Sequence, residues 1–100
     1  MDDEEEYVDK DGYPSVNALQ RVQMWPYDDV RGWFGFIESI WWAADWGWTV
    51  DGNVLHISTG GWSGNEDIID AMRKNYILWQ HTWCEHRRGG HYKFVIPNPT

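Results

Sequence analysis

Residues 58–94, STGGWSGNEDIIDAMRKNYILWQHTWCEHRRGGHYKF, constrain the fold more than any other stretch of the chain. A glycine-rich entry leads into apolar residues at helical spacing, followed by two arginines, two glycines and a short β-prone run. Ser63 and Glu66 stand three apart, as a capping box requires, and Glu66 and Asp67 place negative charge where a helix N-terminus favours it. Ile68, Met72, Tyr76, Trp79, Trp83 and His86 recur every three or four residues, and Ile69 and Ile77 widen that stripe. The spacing predicts one long helix over 63–88, with Arg87 and Arg88 at the negative end of its dipole and Gly89-Gly90 terminating it. Tyr92, Phe94 and Ile96 then share one face of a closing strand over 91–96.

The rest of the chain reads as elements that pack against this unit. Tyr13-Pro14 is extended, because a residue before proline avoids the α region. Ser15 caps a short helix to Gln23, which Trp25-Pro26 stops. Asp28 or Asp29 caps a second helix over 30–45, whose buried stripe is Val30, Trp33, Phe34, Ile37, Ile40, Trp41 and Ala44. Gly32 and Gly35 in its interior each cost about 1 kcal/mol relative to alanine, so another element is expected to approach them closely. Trp42 lies off the stripe and Trp46 at the helix end, which makes both candidates for exposed aromatics. Gly47 is expected to end the helix in the left-handed conformation. Asp51-Gly52-Asn53 between two β-prone runs signals a hairpin. In its second strand Val54, His56 and Ser58 share one face, and Leu55 and Ile57 the other, toward the helices. The predicted class is α+β in the order α-α-β-β-α-β: a small, mainly antiparallel three-stranded sheet, first strand central, with helices over one face.

Charge and composition narrow the function. The nine Trp, five Tyr and three Phe supply the bulk that a 100-residue core needs, since each aromatic buries about 150–250 Å². Residues 1–11 hold seven carboxylates against Lys10, a net −6, so the other residues carry only −2 of the total −8. Residues 1–12 are therefore expected to be a disordered acidic leader, 13–97 a single domain and 98–100 a tail. Carboxylates concentrated in a leader argue against a folded mimic of the DNA backbone, and nucleic-acid binding lacks its basic footprint. Cys84 is the lone cysteine, so no intramolecular disulfide forms and a reducing compartment fits. No run approaches the roughly 20 apolar residues of a membrane span, and the acidic N-terminus lacks a secretory h-region.

Catalytic and metal chemistry find little support in the residues. The GGWSGNE loop lacks a P-loop lysine and GxGxxG spacing, and Glu66 and Asp67 would repel phosphate. It reads as a structural turn that exposes Trp62. His81 and Cys84 can share a helix face, but neither CxxC nor HExxH occurs, so no metal and no cofactor are expected. A thiolate in mid-helix lacks the environment that activates one. The run Arg87-Arg88-Gly89-Gly90-His91-Tyr92 is the most chemically suggestive: two guanidiniums beside an imidazole can clamp a phosphate or carboxylate.

The combination GGWSGNEDIIDAMRKN, a Trp-rich helix and RRGGHYKF resembles a set of small proteins encoded by tailed bacteriophages, over about residues 33–94. The resemblance implies an accessory protein of the host bacterial cytoplasm and carries over no catalytic residue. The expected function is non-enzymatic binding of a host bacterial protein, such as a defence or regulatory factor, through Trp42, Trp46, Trp62, Arg87, Arg88 and His91. Trp and Arg are enriched at binding hot spots. The alternatives are sequestration of a nucleotide or other anionic small molecule by Arg87, Arg88 and His91 beside an aromatic platform, and a minor structural role in the virion.

Overall fold

A computed structural model of the chain describes residues 7–96. In chain order the elements are α1 (Val16–Met24), α2 (Val30–Ile40), α3 (Ala44–Gly47), β1 (Trp48–Asp51), β2 (Val54–Ser58), α4 (Ser63–Lys74), α5 (Tyr76–Thr82), β3 (Trp83–Arg87) and β4 (His91–Val95). The four strands form one antiparallel sheet in the order β1-β2-β4-β3. The α+β class and the helix-covered face agree with the sequence, but the sheet has four strands, and β2 and β4 are central in place of the first strand.

Local chemistry fixes the early elements as expected. The Ser15 hydroxyl accepts from the Ala18 amide at 3.0 Å, and Asp29 Oδ1 accepts from the Gly32 amide at 3.1 Å, so both helix starts are side-chain capped. A Cβ on Gly32 would meet that Asp29 carboxylate, whereas Gly35 has no neighbour that excludes a side chain. Leu55, Ile57, Tyr92 and Phe94 point to the helices and are buried with Trp33, Phe34, Ile37, Ile40, Trp41, Ile68, Met72 and Leu78. Phe34 meets Phe94 at 5.4 Å between ring centroids and thereby docks α2 on the sheet. Fully burying each side chain of this kind contributes about 1.5–3 kcal/mol.

The long helix predicted over 63–88 is three elements. It breaks at Asn75, whose backbone (φ −85°, ψ 77°) leaves the helical region and whose side chain caps α5 through the Leu78 amide. The break changes the phase of the buried stripe: Leu78 and Thr82 are buried, while Tyr76, Ile77 and Trp83 are exposed. At Trp83 the chain becomes strand and pairs with β4, with an irregularity between Trp83 and Glu85. Arg87 therefore lies on an edge strand and Arg88 in a turn, and neither complements a helix dipole. Gly89 and Gly90 adopt positive φ (86° and 79°) as expected of left-handed glycines, but they turn a hairpin instead of ending a helix.

The second helix also stops early, at Ile40, and Trp41 leaves it in an extended conformation. Ala43, not Gly47, is left-handed here (φ 62°), and a four-residue helix follows. Gly47 serves another purpose: a Cβ there would stand 2.6 Å from the Ser58 carbonyl oxygen, so only glycine permits this approach to β2. The capping box at Ser63 does not form; Trp62 is the N-cap residue and α4 has no side-chain cap.

The expected leader divides in two. Residues 1–6, like the tail over 98–100, lie outside the described residues. Over 7–12 the chain packs on the body: Val8 bridges Pro14, and Tyr7 meets Phe36 edge-on at 5.0 Å.

Candidate functional site

The six residues singled out in the sequence fall into two groups. Trp42, Trp46 and Trp62 gather around the segment between α2 and β1, and Arg87 and His91 stand on the open face of the sheet. The loop after β2 lies between them. The Thr59 amide donates to the Gly90 carbonyl at 3.0 Å, and a Cβ on Gly60 would meet the Trp46 ring at 3.1 Å.

The aromatic group is built by tertiary contacts. Trp62 is half-buried, its ring stacked between Tyr13 (4.6 Å) and Trp42 (4.8 Å). Trp42 is 47% exposed and Trp46 66% exposed. Buried Asn65 holds the Trp42 peptide from both sides, its Oδ1 accepting from the Trp42 amide at 2.9 Å and its Nδ2 donating to the Trp42 carbonyl at 3.1 Å. The same Nδ2 lies 3.4 Å from the Thr59 carbonyl. One buried amide thus fixes where Trp42 emerges and ties it to the loop beneath Trp46. Asn65 carries no signal in the sequence, because an asparagine two residues inside a helix gives no sign of its distant partners.

The second group is a two-row array on the sheet face away from the helices. Register places Ser58 opposite His91 and His91 opposite Arg87; the next row is His56, Lys93 and Glu85. The rows share a face because side chains two apart in a strand point the same way. Together they line a cavity of about 350 Å³. The Ser58 hydroxyl and His91 Nδ1 are 2.6 Å apart, and Arg87 Nε donates to Glu85 Oε2 at 2.7 Å. That hydrogen bond and the adjacent guanidinium charge hold the Glu85 carboxyl below its ordinary value, with Lys93 and His56 acting in the same direction, and Glu85 correspondingly raises Arg87. Arg88 is exposed in the turn, outside this array. His56, Lys93, Ser58 and Glu85 were not among the expected site residues. The strand alternation that puts His56 and Ser58 on one face is the available signal, but residues 83–87 continue the helical spacing before them, so the sequence alone does not bring the array together.

The thiol and the remaining histidines stand apart. Cys84 is exposed on β3, His81 is on α5, and His86 stacks on Tyr92 at 4.2 Å on the helix-covered side. His81 and Cys84 therefore do not share a helix face. Among the described residues no group of three or more His, Cys, Asp or Glu side chains is placed to hold a metal ion, and no helix is long and apolar enough to cross a membrane. Comparison of the chain with protein-family models, with curated proteins and with solved structures finds no match.

Proposed function

We propose that this chain is a non-enzymatic binding protein that docks a host bacterial protein on its Trp42–Trp46 surface, with Trp62 supporting that surface and the array of Arg87 and His91 standing apart from it. The observation that carries the reading is the segment between α2 and β1. There a non-glycine residue, Ala43, is held left-handed at φ 62° between two indoles that face solvent. Such a conformation costs about 1–2 kcal/mol and persists only where surrounding structure imposes it, commonly at binding sites. Large aromatic rings on a backbone clamped by Asn65 lose little freedom on docking, which is what binding hot spots require. The bacterial origin of the partner rests on the resemblance to phage-encoded proteins.

Capture from bacterial lysate by the tagged full chain is the test, with Trp42→Ala, Trp46→Ala and the double variant compared at matched fold by circular dichroism. The expected result is a specific captured protein that the Trp46→Ala variant releases while its thermal midpoint stays within about 2 °C of the parent, since a largely exposed side chain contributes little to stability. Undiminished capture by the folded double variant overturns the reading.

A further inference from the structure

The open face of the sheet carries chemistry that protein docking at Trp42 and Trp46 does not use. We propose that the array of His56, Ser58, Glu85, Arg87, His91 and Lys93 is a binding site for a compact diphosphate group.

The argument begins with spacing. Strands lie about 4.8 Å apart and alternate residues about 6.7 Å along a strand, so two rows of three side chains span a patch of roughly 7 by 10 Å. Within it stand one guanidinium, one ammonium and two imidazoles, contributed by three strands. Such a patch exceeds what a single carboxylate needs and suits two linked tetrahedral oxyanions, whose oxygens accept in several directions. The cavity, about 350 Å³, falls at the small end of the roughly 300–1,000 Å³ usual for small-molecule sites. An extended acidic peptide would need a longer groove.

Glu85 fits this reading as an internal stand-in for the anion. Its carboxylate takes Arg87 Nε at 2.7 Å and faces Lys93 across the strand pair. Arg87 has five N–H donors, and Glu85 engages one of them, so the outer edge of the guanidinium can still meet a ligand. His91 is oriented by the Ser58 hydroxyl on its Nδ1, leaving Nε2 as its other hydrogen-bonding atom. An incoming diphosphate competes with Glu85 for the same cations. Replacing that carboxylate with an amide of the same shape should therefore strengthen binding, an effect that a purely structural ion pair would not produce.

The chain carries its own controls. Of its four histidines, His56 and His91 lie in the array, whereas His81 is on α5 and His86 stacks on Tyr92 on the opposite face. Inorganic diphosphate titrated into the full chain at constant ionic strength should shift the ring resonances of His56 and His91 saturably and leave His81 and His86 unmoved. Lys93→Ala and Arg87→Ala should each weaken binding about tenfold or more, the loss expected for a charge-assisted contact. Glu85→Gln should tighten it several-fold. A nucleoside diphosphate run in parallel identifies the source: tighter binding than inorganic diphosphate marks a nucleotide, equal binding the bare diphosphate. No saturable shift up to about 10 mM, a weakness beyond that of even low-affinity sites, overturns the proposal. So does an equal shift of all four histidines, or affinity unchanged in Lys93→Ala and Glu85→Gln. Capture through Trp46 is read separately, so either assignment can fail alone.

Discussion

Trp33 and Asn75 donate to the same atom, the carbonyl oxygen of Val22, at 2.9 Å from the indole Nε1 and 3.1 Å from the amide Nδ2. Val22 lies in the last turn of α1, where carbonyls have no partner within the helix. Asn75 also donates to the Trp25 carbonyl at 3.1 Å. One asparagine therefore ends α4, caps α5 and satisfies the end of α1, and the indole of α2 completes the junction.

That junction sets the first prediction. Asn75→Ala should cost about 2–4 kcal/mol, from one lost bond to a buried carbonyl, one to a part-buried carbonyl and a lost cap. Trp33→Phe should cost about 1–3 kcal/mol. Each single variant leaves Val22 one partner, and the double variant leaves none. The double loss should therefore exceed the sum by about 1 kcal/mol, measured as a double-mutant cycle in urea.

Ala43→Gly should stabilise the protein. Relief of the left-handed alanine is worth about 1–2 kcal/mol, and the freer unfolded chain returns about 0.4–1 of it. A net gain near 0.5–1 kcal/mol in denaturant titration is expected; a net loss would show that Ala43 is unstrained.

The hairpin between β3 and β4 distinguishes its two glycines. Both have positive φ, but a Cβ on Gly90 would collide with the Thr59 side chain, whereas one on Gly89 meets only the His91 ring at 3.4 Å. Gly89→Ala should cost about 1 kcal/mol for conformation alone, and Gly90→Ala about 2–3 with the collision added. Equal losses would mean that the loop after β2 yields.

Acid should act on the sheet face through Glu85. Its carboxyl is held below the ordinary 4.5 chiefly by Arg87. The contribution is therefore fully present above that pH and is lost as pH falls through the lower folded value. The pair is exposed, so the effect is small, and it should fade in about 0.5 M salt. In an acid titration of stability below pH 4.5, Glu85→Gln should show a shallower decline than the parent; identical slopes would rule out this linkage.

Elements whose signals are local are legible in the amino-acid order alone. Ser15 and Asp29 cap their helices with their own side chains, the Asp51–Asn53 turn joins adjacent strands, and alternation in 54–58 and 91–96 assigns each side chain to a face. Trp33, Phe34 and Ile37 showed their burial by spacing alone. Long-range contacts settle the rest. Helical periodicity runs through Asn75 uninterrupted, and the break exists because that side chain has partners at Val22 and Trp25, about fifty residues away. Gly89-Gly90 suits a helix end or a hairpin equally, since both need a left-handed residue, and only pairing of 83–87 with β4 selects the hairpin. Trp42 was visible as an aromatic off the stripe, but its placement belongs to Asn65 across 23 positions. The array around Lys93 likewise depends on register among three strands. Local physics writes caps, turns and faces into the sequence, whereas long-range partners choose among conformations that are locally close in energy.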